Sequence, residues 1–337
     1  MFRRLRDAAL LVVLAVGLLV VAWPQLFGLQ RETIVAQVIS FRGAAVVAAL
    51  IAIVVIGVVA GLNAGFRRLG SSIVLLLVVF ALANIAVLSS RGFGDTRFDP
   101  RSKADITVVS WNTLGGLPGA ATIAKLALDS GADIVSLPET TKTTADAVAA
   151  IMKTGGHAMS EHTVTFDQAY RSRSTSVLVS EHLGEYHIDS TAGSTSTVPT
   201  IVMLPNDRTG PTIIAVHPIA PVEGEMGNWR SDLDWLSTAC DGKNVIMAGD
   251  FNSTIDHLAG FAREPGTTIG RCADAGIQSG NGAVGTWPSS VPALIGAPID
   301  HVMATSNWSV AGMRVVQNLD GMGSDHRPIV VQLHRKG

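Results

Sequence analysis

The sequence predicts an α/β layered sandwich preceded by three membrane-spanning helices, and three observations carry that expectation. Apolar residues are concentrated in the first 90 positions, while the rest of the chain alternates short apolar runs with turn residues and a few stretches of helical periodicity. Those runs lack the strict alternation of a half-exposed sheet, which is how strands covered on both faces read. The overall figures of 47% hydrophobic and 15% charged residues therefore average two unlike parts.

The first part is residues 1–90. From Ala8 to about Leu29, from Gly43 to Leu62 and from Ser71 to Leu88 the chain is nearly uncharged. Each stretch approaches the roughly 20 residues needed to cross hydrocarbon. A membrane anchor of three helices is expected. A cleavable signal peptide competes for the first stretch, since MFRRLR precedes an apolar run. Against it, AWPQLFG offers no good small-residue cleavage site, and two more apolar segments follow directly.

With the amino terminus inside, Arg3, Arg4, Arg6, Arg67 and Arg68 are cytoplasmic, and Arg31, Arg42, Arg91, Arg97, Arg101 and Lys103 are outside. That is almost a tie for the positive-inside rule. The dense first cluster and the short 62–70 loop favour the amino terminus inside. Three spans then place the remainder outside, giving a multi-pass protein of the cell membrane with an extracytoplasmic domain.

After a charged connector, 91–104, residues 105–337 have the composition of a soluble globular domain large enough for one sizeable core. Residues 91–337 hold 18 Lys and Arg against 25 Asp and Glu, a net of −7 with histidine neutral, together with all nine histidines. So acidic a domain lacks the basic footprint of general nucleic-acid binding, and a stable nucleic-acid complex is disfavoured. The only cysteines, Cys240 and Cys272, also lie here. An oxidising compartment would join them; two separate buried thiols are the alternative, and neither cysteine has the near neighbour of a metal knuckle.

Within the domain, apolar runs bounded by turn residues predict strands at 105–113, 133–140, 174–180, 211–218, 244–251, 300–305 and 328–333. Helices are predicted at 119–130, 143–154 and 228–240, where Ala, Leu and Lys recur at helical spacing.

Polar residues gather where these strands end. Asn112 closes the first, Glu139 the second, His217 a middle one, Asp250 and Asn252 the next, and Asp300, Asp325 and His326 flank the last two. Each has an ordinary explanation: Asn112 as an Asx-turn residue, Glu139 as a helix cap, His217 as a loop residue, the aspartates as strand caps. Eight such residues are hard to assign to turn chemistry alone. On one edge of a sandwich they would converge on a single cleft.

The motifs SWNT, LPET, VHP, GDFN, IDHV and SDHRP occur in that order over about 104–335. They resemble those of the endonuclease/exonuclease/phosphatase superfamily, which includes DNase I, abasic-site endonucleases, inositol-polyphosphate 5-phosphatases and bacterial sphingomyelinases. GDFN at 249–252 followed by SDH at 324–326 is the specific part. The resemblance implies a DNase I-like four-layer α/β/β/α sandwich and a metal-dependent phosphoric ester hydrolase.

It further implies Mg²⁺ as cofactor, with Mn²⁺ or Ca²⁺ as alternatives, held by Glu139 with Asn112 and Asp325, since a hard cation takes oxygen ligands. Asp250 would activate water and Asn252 hold a phosphate oxygen or that water. His326 would donate to the phosphoryl oxygen with Asp300 fixing its tautomer, and His217 would sit near the leaving group. His301 is expected to be structural.

Departures from the family pattern narrow the substrate. LPET replaces the usual LQE but keeps the acid, and WNTLGG lacks the acid that follows in abasic-site enzymes. Arg171 and Arg173 would either clamp a phosphate or form a solvated strand edge, and Trp287 would either line the cleft or pack in the core. Tethering raises a domain's effective concentration at a surface. The expected activity is therefore hydrolysis of a phosphate ester of a lipid headgroup or envelope component at the outer membrane face, with the lipid bilayer and that ester as partners. An extracytoplasmic nuclease and a catalytically inactive binding module are the alternatives.

Overall fold

The computed structural model describes residues 2–207 and 209–336. Its first part contains α1 (Phe2–Ala22), the short α2 (Val35–Ile39), α3 (Arg42–Leu62) and α4 (Arg67–Arg91). Three of these, α1, α3 and α4, are long and apolar enough to cross a membrane. The first stops earlier than the apolar run does, because Pro24 disfavours helix at the residue before it and opens a 3-10 turn, Pro24–Phe27. Ala49, Leu77, Phe80 and Ala81 pack between the helices. Outward-facing Val54, Leu75 and Leu82 are 60% or more exposed, an aliphatic belt suited to hydrocarbon and not to water.

The elements of the second part follow in chain order: β1 (Ile106–Ser110), α5 (Ala120–Ser130), β2 (Ile134–Pro138), α6 (Lys142–Thr154), β3 (Met159–Thr165), β4 (Ser174–Ser180), β5 (Tyr186–Ile188), β6 (Ile201–Pro205), β7 (Thr212–Val216) and α7 (Met226–Ala239). Then come β8 (Val245–Asp250), α8 (Ile255–Leu258), β9 (Cys272–Asp274), α9 (Ala275–Ser279), β10 (Asp300–Thr305), β11 (Trp308–Val315) and β12 (Ile329–Arg335). The seven expected strands and three expected helices all form. Five further strands, β3, β5, β6, β9 and β11, complete two six-stranded sheets, ordered β11-β12-β1-β2-β4-β3 and β5-β6-β7-β8-β10-β9.

Consecutive residues of the inner strands point to opposite faces, and both faces are covered. Val108, Ile213 and Ile246 enter the core between the sheets. Val109 and Val135 pack with Ile123 and Val148 of α5 and α6, and Ile214 and Met247 pack with Trp229 and Leu233 of α7. Four layers result, α/β/β/α. Burial on both faces explains why these strands read as unbroken apolar runs.

The topology also fixes which strand ends meet. At the centre of each sheet lies one parallel pair, β1 with β2 and β7 with β8. The two carboxyl ends of each pair therefore share an edge of their sheet. Antiparallel β10 and β12 bring their amino ends to the same edge, so that Asp300 stands opposite Asp250 in register and Ile329 opposite Ser110. Gly249 is required here: a Cβ would lie 2.0 Å from the Val216 carbonyl oxygen of the neighbouring strand.

Anchor and domain are joined by more than the connector. Asp256 of α8, 3% exposed, accepts from Arg42 at 2.7 and 2.8 Å and from Arg91 at 2.8 and 2.8 Å. Arg42 Nη1 also donates to the Ala22 carbonyl (3.1 Å) and to Asn84 Oδ1 (2.6 Å), so one guanidinium ties all three long helices to the domain. Gly43 permits the approach, since a Cβ there would strike the Leu294 carbonyl oxygen. Cys240, at the end of α7, is disulfide-bonded to Cys272 of β9.

Candidate active site

The shared strand edge gathers the polar residues predicted from strand ends. Asn112, two residues past the end of β1, donates from Nδ2 to Glu139 Oε1 and to Asp250 Oδ2, both at 3.0 Å. Its Oδ1 accepts from the Leu114 amide at 3.1 Å. In this arrangement Asn112 bridges two carboxylates, one from each sheet. Glu139 and Asn252 both adopt left-handed backbone, with φ of 52° and 46°. Strain of that kind in non-glycine residues clusters at functional sites.

His326 is the centre of charge. Its Nδ1 lies 2.9 Å from Asp300 Oδ2 and its Nε2 3.8 Å from Asp250 Oδ2. Burial alone would lower the imidazole, but Asp300 and then Asp250 outweigh it and raise it to about 10, so it is an imidazolium at neutral pH. Asp250, 1% exposed, is pushed up by burial and by Asp300, against the pull of His326 and the hydrogen bonds from Asn252 and Asn112. The Asn252 amide donates to Asp250 Oδ1 at 2.8 Å, and Asn252 Nδ2 to the Pro218 carbonyl at 3.0 Å.

His217 behaves oppositely. Burial, followed by repulsion from His326, lowers it to about 3, so it is neutral. Its Nδ1 faces Thr175 Oγ1 at 3.3 Å, and its Nε2 is 4.0 Å from Glu139 Oε1. Burial raises Glu139 despite the bond from Asn112. Asp325 Oδ2 accepts from Trp287 Nε1 at 2.8 Å, while its buried Oδ1 has no partner, as is also true of Asp300 Oδ1.

One cavity of about 390 Å³ is lined by Glu139, His217, Asp250, Asn252, Asp325 and His326. Asp300 stands behind His326 as its positioning partner, and Trp287 lines the cavity from the side. Asp250, Asp300 and His326 also form a compact acid-histidine cluster. An imidazolium already balances those two acids. The better oxygen donors for a hard cation are Glu139 and Asp325, whose orphaned Oδ1 meets the test of a buried acceptor awaiting a partner.

Arg171 and Arg173 flank the cavity without lining it. Arg173 turns to Asp167 at 3.6 Å and to the Tyr170 ring at 5.3 Å, and Arg171 is exposed. His301 is bonded to Asp274 at 2.8 Å and to the Ser253 carbonyl at 2.9 Å, as a buried structural histidine.

The structure also adds residues that the sequence did not mark. Ser324 donates to the Asn112 carbonyl at 2.6 Å and accepts from the His326 amide at 3.0 Å, stitching the first strand end to the last. Its place in SDHRP was the available signal. Gln37, Ser40 and Phe41, from the anchor, line the same cavity, and no motif marked them.

A family model described as "Endonuclease/Exonuclease/phosphatase family" matches residues 109–326. Among solved structures, an endonuclease/exonuclease/phosphatase from Beutenbergia cavernae DSM 12333 superposes with a TM-score of 0.53 at 16% identity, covering 70% of this chain and 72% of that one. One from Bacteroides vulgatus gives 0.52 at 16% identity, with 69% and 100% covered. Humanized D. rerio TDP2 gives 0.50 at 15% identity, with 69% and 100% covered. No curated protein is similar enough in sequence to match. At these identities the structural neighbours speak to the fold.

Proposed function

The chain belongs to the endonuclease/exonuclease/phosphatase family, whose members are hydrolases acting on phosphate esters, and we propose that it is a membrane-anchored, Mg²⁺-dependent phosphoesterase working on a lipid headgroup or envelope component at the outer membrane face. The observation that carries this reading is the convergence of Glu139, Asp250, Asp325 and His326, from three separate strand ends, on one cavity.

Glu139 and Asp325 would hold the metal, with Asn112 keeping Glu139 in place. When bound, Mg²⁺ neutralises charge on the phosphoryl group and leaving oxygen. Asp250, raised by burial and fixed by the Asn252 and Asn112 donors, accepts the proton of the attacking water. His326 presents Nε2–H to a phosphoryl oxygen, because Asp300 holds the other nitrogen. His217, with Nδ1 turned to Thr175, directs Nε2 toward Glu139 and the cleft, where it stands beside the leaving group.

Two features support an extracytoplasmic domain. The Cys240–Cys272 disulfide suits an oxidising compartment. The basic clusters are the second: Arg42 and Arg91 bind Asp256 and Arg31 the carbonyls of His257 and Ala259, all at the domain side of the helices. Arg3, Arg4, Arg6, Arg67 and Arg68 lie at the opposite helix ends, where Arg3 bonds the Gly65 carbonyl, and they supply the cytoplasmic positive charge.

The test is Mg²⁺-dependent release of nitrophenolate from nitrophenyl phosphate diesters and monoesters by the full-length protein. Absence of hydrolysis, or equal hydrolysis by Asp250→Asn, rejects the reading. Protease added to intact cells should remove the domain; protection would place it inside.

A further inference from the structure

The segment between the first two membrane helices, residues 23–41, is not a slack tether. Gln25 Nε2 donates to Asp256 Oδ1 at 3.1 Å, and Arg31 Nη1 to the carbonyls of His257 and Ala259 at 2.8 and 2.9 Å. Arg31 also covers the Phe261 ring at 4.4 Å. His257 Nε2 meets the Ala36 carbonyl at 3.0 Å, and Gln37 donates to the Pro221 carbonyl. Ala36 is fully buried within the apolar layer beneath α7. So many ties, over so short a length, fix the segment as part of the domain surface.

What it fixes is one side of the active-site cavity. Phe41 packs against Trp287 with ring centroids 5.8 Å apart, and Trp287 in turn donates to Asp325. Val198, Ile219, Val222 and Ile299 continue the same apolar side. The floor carries the carboxylates and histidines; the side facing it carries no Lys or Arg. A polyanion would need positive charge there, and the segment's own polar side chains are engaged, Gln37 with the Pro221 carbonyl and Ser40 with the Ala36 carbonyl. Phe41 is also the residue immediately before α3, so the apolar side runs on directly into the membrane-spanning region.

We propose that the 23–41 segment is a specificity-determining wall of the active site, and that through Phe41 it selects phosphate esters bearing a long alkyl chain, drawn from the bilayer with the phosphate toward the carboxylates. The proposal rests on the phosphoesterase reading and narrows its substrate to amphiphiles. Phe41 touches the chain and not the phosphate, so its removal changes the ratio between chain-bearing and chainless esters.

The experiment compares 4-nitrophenyl dodecyl phosphate with 4-nitrophenyl methyl phosphate, using full-length protein in phosphatidylcholine nanodiscs with Mg²⁺. Wild type is expected to favour the dodecyl ester about tenfold or more in kcat/KM, the scale on which apolar pockets discriminate. Phe41→Ala should erase that preference, read as the ratio of kcat/KM for the two esters so that any shared effect through Trp287 and Asp325 cancels, and Phe41→Leu should restore it. Val222→Ser, at the exposed mouth, gives the same selective loss if Phe41→Ala does not fold. No preference in wild type, or equal loss on both esters in the variants, overturns the proposal.

Should neither ester be hydrolysed, the phosphoesterase reading fails, and the wall is judged by binding alone. Trp fluorescence then reports dodecyl phosphate against inorganic phosphate. Tighter dodecyl phosphate binding that is lost in Phe41→Ala supports the wall; equal affinities overturn it.

Discussion

Asp250 and Asp300 face each other in register across β8 and β10, and one imidazole, His326, answers both. Neither acid is more than 2% exposed. Without the imidazolium, two buried carboxylates would confront each other unbalanced. His326→Ala is expected to lower kcat by about 10²–10³, the scale of losing one preorganised donor to a developing charge. It should also lower the melting temperature, because like charges remain buried. Asp300→Asn should keep the fold and lose activity with it. Steady-state kinetics and calorimetry on the same preparations check both.

Glu139→Gln removes a charge from the expected metal side and keeps the bond from Asn112 Nδ2. Half-maximal activity should then need about 10- to 100-fold more Mg²⁺. Chelator should silence the wild type, with Mg²⁺ restoring it. Calorimetric titration with Mg²⁺ checks the affinity apart from turnover.

Burial would raise Asp256, but the guanidiniums of Arg42 and Arg91 on both its oxygens hold it well below the carboxylate range. A depressed folded value stabilises fully above the unfolded value of about 3.9, and the contribution fades as pH falls below that. Wild type should thus lose thermal stability as pH drops below about 4. Asp256→Asn should be less stable by about 3–5 kcal/mol at neutral pH, the cost of leaving buried guanidiniums unmatched. Its acid dependence should be correspondingly flatter. Unfolding curves from pH 3 to 7 separate the two.

The disulfide closes a span of 32 residues. Chain entropy assigns such a loop about 3–4 kcal/mol. Cys240→Ser with Cys272→Ser should lower stability by about that amount, and reductant should do the same to the wild type only. Denaturant melts with and without reductant provide the measurement.

How much of this is legible in sequence depends on where a residue sits in its sheet. β1, β2, β4, β7, β8, β10 and β12 are interior strands, and covering on both faces writes them as apolar runs. β3 and β11, at or beside an edge, mix polar residues into the run, and β11 carries a register shift between Val310 and Gly312. β5 and β9 are three residues each, too short to show a pattern. β6 is interior too, but its run, IVMLP, is bracketed by Pro199 and Pro205. Strand-end residues such as Asn112, Glu139 and Asp250 declare themselves because a parallel pair must send both carboxyl ends to one edge. Phe41 and Gln37 do not, because their place is set by Arg42 meeting an acid 214 positions away. No local pattern encodes such a distance.

That distance has a consequence for how the protein is made. Arg42 and Arg91 leave the ribosome long before Asp256, which follows Arg91 by 165 positions. Until α8 is made, both guanidiniums are without the acid that receives them, and helices entering a bilayer at that stage would keep them at the headgroups. Docking waits for the chain to be finished through α8. A domain expressed without its helices would carry Asp256 with no cation to receive it, so the anchor is as much a late folding partner as a mooring.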